Sequence, residues 1–188
     1  MNKILKLTVI LFLICAVVAG VLGVINEVTY ERIETREKEE TKAAYGVVLP
    51  AEDYEEVSLS AELKAKYPTV DKISRGTKGE GYVVESTFSG AQGMITLAVG
   101  VNNSNKCTGI SVISHSETSG LGANAASSSE TGVNWRAQFV GQGANIALTK
   151  AGGTIDALAG ATITSRSVTE ATARSIALVS ELVKEVEG

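Results

Sequence analysis

An uninterrupted apolar run lies near the start of the chain. Residues 7–25 contain no charged side chain, and Thr8 is the one clearly polar residue among them. A helix of that length rises roughly 28 Å, close to the thickness of about 30 Å of a bilayer's hydrocarbon core. The apolar part of a cleaved signal peptide is usually shorter and ends in a small-x-small site, and Val17–Ala19 is a poor one. We therefore predict an uncleaved membrane anchor helix over residues 1–26.

A charged segment follows the apolar run. Residues 27–44 contain neither Pro nor Gly and interleave acidic with basic side chains. This pattern predicts a solvated helical stalk that continues from the anchor. The remaining residues, 45–188, are numerous enough to bury one hydrophobic core, so we predict a single domain there.

Three segments in the middle of the chain have the composition of strands. Residues 81–88, 94–101 and 107–114 are rich in β-branched and aromatic residues or alternate in polarity. Turns rich in Gly, Ser and Asn separate them at 89–93 and 102–105. Short connections of this kind join antiparallel neighbours, so the pattern predicts a meander.

Two helices and a strand between them are predicted after the meander. Residues 133–139 favour a short helix with both of its aromatic side chains on one face. Apolar residues follow a 3.6-residue period over 168–186, which predicts a long C-terminal helix. Ser167–Glu170 fits a capping box, and Thr164 and Ser165 are earlier cap candidates. The predicted fold class is α+β, with an N-terminal transmembrane helix, an antiparallel sheet and a long C-terminal helix.

Composition excludes several function classes. Lys and Arg number 17 against 21 Asp and Glu, and this net charge of −4 argues against a nucleic-acid partner. The single histidine, His115, excludes a multi-histidine metal site, and Cys15 and Cys107 lack zinc-ligand spacing. The chain contains no Gly-x-Ser-x-Gly nucleophile elbow. We therefore predict no metal site and no catalytic residue of the chain's own.

Small and hydroxyl residues precede the predicted C-terminal helix. Ala159–Ala161 would let a ligand approach the backbone closely, and Thr162, Thr164 and Ser165 place hydroxyls beside the helix start. Free N–H groups and the positive end of the helix dipole favour an anion or phosphate at such a place. A plain helix cap explains the same residues, so the pattern alone leaves both interpretations open.

The stretch from Asp156 to Ser165, DALAGATITS, resembles the flavinylation motif of the FMN-binding domain family. The resemblance implies that Thr162 accepts FMN through a phosphodiester bond, which a dedicated flavin transferase installs using FAD and magnesium. Ala159 departs from the family pattern, which usually has Ser or Thr at that position. The resemblance also implies cofactor contacts by the neighbouring residues Gly160, Ala161, Thr164 and Ser165.

The stretch from His115 to Gly122, HSETSGLG, resembles a second motif of the same family, His-x-Glu-Thr-Pro-Gly-Leu-Gly, which lies against the flavin. Ser119 stands where the family usually has Pro. Glycines on both sides of Leu121 would let a flat ring approach the backbone, although a plain Gly-rich loop would have the same composition. The resemblance implies cofactor contacts by Glu117, Thr118, Gly120, Leu121 and Gly122.

The resemblance covers nearly the whole chain and extends to the G-subunit family of Rnf-type ion-translocating ferredoxin:NAD+ oxidoreductase complexes. It implies an electron-transfer flavoprotein subunit that acts only within its complex, which moves Na+ or H+. The implied partners are the membrane and iron–sulfur subunits of that complex and the flavin transferase. The alternatives are a flavinylated subunit of a sodium-pumping NADH:quinone reductase, another extracytoplasmic reductase, and a cofactor-free extracytoplasmic binding or scaffold domain.

The basic residues next to the anchor predict its orientation. Lys3 and Lys6 flank the short N-terminal side of the apolar run. Because positively charged flanks stay in the cytoplasm, we expect a single-pass protein of the cell membrane whose bulk is extracytoplasmic.

Overall fold

A computed structural model describes the backbone of residues 3–187, with side chains except those of 31–35, 37, 186 and 187. Its contacts divide the chain into two compact units, 1–40 and 41–188. Helix α1 spans Lys3–Val48 and includes the charged segment 27–44. The part of α1 from Lys3 to Tyr30 is long and apolar enough to cross a membrane and is not buried by the protein. The predicted N-terminal apolar helix is confirmed.

The second unit contains a five-stranded antiparallel sheet whose spatial order follows the chain. The three predicted strands are confirmed, and their turns lie where the sequence places them. Two further strands and a short helix precede them and were not predicted. The elements of this half are β1 Tyr54–Glu56, α2 Ala61–Lys66, β2 Val70–Gly76, β3 Gly81–Ser89, β4 Met94–Asn102 and β5 Cys107–His115.

The C-terminal half contains helices α3, Glu130–Ala137, and α4, Thr162–Glu187. Helix α3 begins three residues before its predicted start, because the Ser129 hydroxyl accepts the Gly132 N–H at 3.3 Å and caps it there. The predicted caps of α4 are wrong, because the helix already begins at Thr162 and Ser167 lies inside it. The strand predicted between the helices is also wrong. In the structure that stretch forms a 3₁₀ turn, Thr149–Ala151, and an isolated parallel bridge, Leu148 to Ile155. A further 3₁₀ turn, Gly122–Ala125, lies between β5 and α3.

Helix α4 packs against one face of the sheet and closes the main core. Its apolar side chains are buried with those of β3 and β4. Thr169, Thr172 and Ser175 are also buried on α4, and each hydroxyl donates to the carbonyl four residues earlier, at 2.7–2.9 Å. These bonds satisfy the hydroxyls without a partner from the sheet. The α+β class, the antiparallel sheet and the long C-terminal helix are therefore confirmed.

The last turns of α1 pack against the other face of the sheet, within the second unit. The side chains of Tyr45 and Val48 are buried there against Val83. The Thr108 hydroxyl donates to the Val48 carbonyl. Gly100 lies directly beneath that carbonyl, so a Cβ at this position would collide with it. The absence of a side chain at Gly100 is what allows the helix end to approach the sheet.

We predict that Gly100→Ala destabilises the second unit by about 2 kcal/mol, because overpacking forces the helix end away from the sheet. The measurement is urea unfolding of the detergent-solubilised chain, followed by Trp135 fluorescence. Gly46→Ala is the matched control. Gly46 lies on the same helix with open space around it, so alanine should stabilise by about 0.5–1 kcal/mol. Equal midpoints for the two variants would contradict this account of the contact.

Candidate functional site

Helix α3 fixes the beginning of the DALAGATITS loop. The Trp135 indole N–H donates to the Asp156 carbonyl at 2.8 Å, and the Gln138 side-chain oxygen accepts the Asp156 N–H at 2.8 Å. The Trp135 ring meets Phe139 edge to face at 5.1 Å between centroids, as the predicted shared face requires. Both backbone groups of Asp156 are therefore held by side chains of one helix and its C-terminal turn.

Ser165 fixes the end of the same loop from inside the protein. Its buried hydroxyl accepts the Leu158 N–H at 2.9 Å and donates to the Ala161 carbonyl at 2.9 Å. The Ala161 N–H donates to the Leu158 carbonyl at 3.0 Å, which closes a turn. Gly160 occupies that turn with φ +71°, a conformation that favours glycine. The hydroxyl that the sequence assigned to the cofactor is thus bonded to the protein.

The two glycine-rich segments meet at Gly160 and Leu121. A Cβ on Gly160 would lie 2.9 Å from Leu121 Cδ2, closer than van der Waals contact allows. The Leu121 side chain remains 43% exposed beside this turn. Thr118 and Gly120 are also exposed, whereas Gly122 and Ala161 are buried. The structure therefore brings the two predicted segments together and leaves Leu121 as an apolar surface on their shared rim.

A buried carboxylate joins these segments below the rim. Glu117 is only 8% exposed, and its Oε1 accepts the N–H groups of Ala91 and Gln92 at 2.9 and 3.0 Å. Its Oε2 accepts the hydroxyl of Thr164, which is also buried. Gly122 packs against the same carboxylate so closely that a Cβ would collide with it. Glu117 therefore connects the β3–β4 turn, its own loop and the first turn of α4.

These bonds determine the acidity of Glu117. Burial alone would raise its pKa, but the hydrogen bonds that it accepts, above all those from Gln92 and Thr164, together outweigh burial and lower the pKa below its ordinary value of 4.5. A lowered pKa means that the ionised form stabilises the fold. That stability is complete above pH 4.5 and is lost as the pH falls through the lowered pKa.

Thr162 differs from the other hydroxyl residues of this region. It is the first residue of α4 and is half-buried, and its hydroxyl has no hydrogen-bond partner in the part of the chain that the structure describes. It lines a cleft of about 420 Å³ at the helix N-terminus, where the first N–H groups lack intrahelical partners. The other residues lining the cleft are Ile146, Ala147, Leu148, Lys150, Ala151, Arg166, Thr169 and Glu170.

The cleft contains a group that the sequence reasoning missed. Arg166 lines it together with Lys150. The signal was the spacing, since Arg166 follows Thr162 by four residues and residues so spaced share a helix face. That signal was hidden because every predicted cap placed the start of the helix after Thr162.

We predict that Glu117→Gln lowers the unfolding free energy at pH 7 by about 2 kcal/mol, since hydrogen bonds to a charged group are replaced by weaker ones. The variant should also lose less stability than the wild type between pH 5 and pH 3, because it has no carboxylate at position 117 to protonate. Denaturant midpoints across this pH range measure both effects. Glu55→Gln, an exposed carboxylate on β1, is the control and should follow the wild-type curve. A Glu117→Gln curve parallel to the wild-type curve would contradict the role of ionised Glu117.

Comparison with known proteins bears on this arrangement. The FMN-binding domain family matches residues 90–177, which include both glycine-rich segments. The chain is 36% identical over 185 residues to the G subunit of the ion-translocating oxidoreductase complex of Methanosarcina acetivorans, covering 95% of this chain and 96% of the relative. It is 33% identical over 198 residues to the G subunit of the Na(+)-translocating ferredoxin:NAD(+) oxidoreductase complex of Acetobacterium woodii, covering 95% and 93%.

A third relative shares a shorter region. The G subunit of the proton-translocating ferredoxin:NAD(+) oxidoreductase complex of Clostridium ljungdahlii is 41% identical over 101 residues, 51% of each chain. The first two relatives match at almost full length, and all three names describe the same component of such a complex. Together with the FMN-binding domain, this confirms the resemblance seen in the sequence. The chain belongs to the G-subunit family of the ion-translocating oxidoreductase complexes, whose members are parts of an electron-transfer complex.

Proposed function

We propose that this chain carries FMN in phosphodiester linkage to Thr162 Oγ and passes electrons as a subunit of an Rnf-type complex. The observation that carries the proposal is the Thr162 hydroxyl, which lines a cleft at a helix N-terminus and has no partner among the described residues. Thr164 and Ser165, the neighbouring hydroxyls, are buried and bonded to the protein. Thr162 is therefore the hydroxyl of this turn that is available to a reagent from outside.

The attachment step is a phosphoryl-type transfer to that hydroxyl. Thr162 Oγ attacks the phosphorus of the FMN half of FAD, in the presence of magnesium and a flavin transferase. The new Oγ–P bond replaces the bond to AMP, which departs with the electron pair, and the hydroxyl proton leaves the chain. The positive end of the α4 dipole favours the negative phosphate at this position.

The remaining predicted site residues divide into two groups by their contacts. Leu121 and Gly160 are on the exposed rim, where an apolar side chain and an open backbone can meet a flat ring. Glu117, Thr164 and Ser165 are bonded to the protein, so we assign them the positioning of the loop. The bound flavin supplies the redox chemistry, and the protein supplies its position and surroundings.

The proposed complex transfers electrons from ferredoxin to NAD+ and couples that transfer to movement of Na+ or H+. Names of relatives include both a sodium-translocating and a proton-translocating complex, so the family is compatible with either ion. The partners in this proposal are the membrane and iron–sulfur subunits of the complex. On the extracytoplasmic side, where released FMN would be lost, a covalent bond keeps the cofactor in place.

We predict that coexpression with a flavin transferase adds the mass of one FMN less water to the wild-type chain and nothing to Thr162→Ala. Intact mass spectrometry and fluorescence on a denaturing gel measure this. Thr162→Ala should unfold at the wild-type temperature, because the hydroxyl that it removes has no partner among the described residues. Ser167→Ala is the matched control, since it removes a half-buried hydroxyl from α4 outside the Thr162 cleft and should load fully.

Ala159→Ser tests the one departure from the motif. Ala159 is exposed in the loop, so the added hydroxyl has space, and we expect loading at the wild-type rate or faster. If the wild type stays colourless while the transferase modifies a control protein, covalent flavinylation is contradicted. Loading of Ala159→Ser in that case would assign the defect to the missing hydroxyl and favour a cofactor-free scaffold for the natural chain.

The proposal places the second unit outside the cytoplasm, with Lys3 and Lys6 inside. We predict that alkaline phosphatase fused to the C-terminus is active in cells and that green fluorescent protein fused there is dark. Phosphatase fused within the charged segment 27–44 should also be active, since it lies on the same side. The opposite pattern of signals would contradict the orientation and place the flavin in the cytoplasm.

A further inference from the structure

We propose that Lys150 and Arg166 form a cationic clamp on the phosphate that joins the flavin to Thr162. This inference rests on the proposed attachment at Thr162 and assigns two further binding residues to the same cleft. Both side chains line the cleft of about 420 Å³ that Thr162 also lines. They reach it from different elements, Arg166 from α4 and Lys150 from the 3₁₀ turn Thr149–Ala151.

The position of Arg166 follows from helix geometry. It lies four residues after Thr162, so the two share a face of α4. Side chains on a helix lean toward its N-terminus and cover the preceding turn. An exposed arginine at this position therefore extends over the turn that carries the Thr162 hydroxyl. Its planar guanidinium offers several donors that match the geometry of phosphate oxygens.

Lys150 lies on a closed turn of a separate element. The Ala151 N–H donates to the Leu148 carbonyl at 2.8 Å, and the Thr149 N–H donates to the Ile155 carbonyl at 2.9 Å. Gly153 packs so closely on the Ala147 carbonyl that a Cβ would collide with it. These contacts tie the turn to residues just before the DALAGATITS loop, so the lysine is held at a fixed wall of the cleft.

The charges of the cleft complement a phosphodiester. Neither Lys150 nor Arg166 has an ion-pair partner among the side chains that the structure describes, whereas Lys66 pairs with Glu181 at 2.6 Å. Glu170 also lines the cleft, so two cations and one carboxylate leave one positive charge. A phosphodiester carries one negative charge and has two free oxygens that accept charge-assisted hydrogen bonds. The cleft is thus neutralised when the linkage forms.

The test compares the wild type with the double variant Lys150→Gln/Arg166→Gln, both as full chains in detergent. Arg174→Gln is the matched control, because Arg174 is an exposed cation on α4 outside the Thr162 cleft. The first measurement is the initial rate of flavinylation at limiting FAD, followed by intact mass. We expect a loss of up to about fivefold for each cation removed, the upper end of the range for one exposed ion pair. The loss should shrink at 1 M salt, where charges are screened within about 3 Å.

The second measurement does not depend on the transferase. Each protein is flavinylated to completion, and its unfolding temperature is compared with that of its own unmodified form. We expect loading to raise the unfolding temperature of the wild type and of Arg174→Gln, and to raise that of the double variant by half as much or less. Because no transferase is present during unfolding, any difference between these rises in unfolding temperature comes from contacts of the chain itself with the phosphate.

If flavinylation raises the unfolding temperature equally in the wild type and the double variant, the clamp is overturned, even if the flavinylation rate falls. A lower flavinylation rate with equal rises in unfolding temperature would mean that the cations act on the transferase reaction and not on the bound phosphate. Absence of flavin on the wild type, with the transferase active on another protein, would overturn both the clamp and the attachment at Thr162. Loading of the wild type with no effect of the cations would overturn the clamp alone.

Discussion

The candidate site depends on the hydrogen bonds to one buried carboxylate. A charge that is 8% exposed is costly unless it is compensated, and Glu117 is compensated by two backbone N–H groups and a hydroxyl. Its donors, Ala91, Gln92 and Thr164, come from segments distant in the sequence. The carboxylate therefore fixes the relative position of three segments, and truncating it would leave buried donors without an acceptor. The shape of the site is therefore determined by a buried group that does not itself line the Thr162 cleft.

Helix α3 also fixes loop backbone in this region through hydrogen bonds from its side chains. Arg136 donates to the carbonyls of Ala125 and Ser127 at 2.8 and 2.9 Å, while Trp135 and Gln138 hold the backbone of Asp156. One short helix and its C-terminal turn therefore hold the first residue of the DALAGATITS loop and the residues that follow the HSETSGLG segment. Loops held in this way lose little further conformational entropy when a ligand binds. This explains how a site made from loops can be well positioned.

The sequence predicted much of this fold because its pattern is strong where the core is. β3, β4 and β5 bury apolar side chains in the main core, and the period of α4 follows its buried face. β1 and β2 were missed because β1 has three residues and β2 buries few of its side chains, so neither shows clear alternation. The start of α4 was missed because Ala161, which precedes it, has no capping side chain, whereas Ser167 does.

The sequence predicted where the site lies, but not which of its side chains face a ligand and which are bonded to the protein. Residue types do not reveal whether a hydroxyl faces a ligand or the interior, and Thr162, Thr164 and Ser165 are alike as types. Only the packing separates them, because Thr164 and Ser165 face inward to Glu117 and to the Leu158 turn. The same reasoning applies to Glu117, which the motif associates with the cofactor and the structure bonds to the protein.

Substitutions in the motif should therefore be interpreted by what each side chain contacts. A change at Thr164, Ser165 or Glu117 moves the loop, so it alters every property of the site together and also lowers stability. A change at Thr162 removes a group with no partner among the described residues, so stability should be retained while attachment is lost. The free energy of unfolding is thus the quantity that distinguishes a residue that carries the cofactor from one that shapes its site. Loss of flavin alone does not distinguish them, because both kinds of change can cause it.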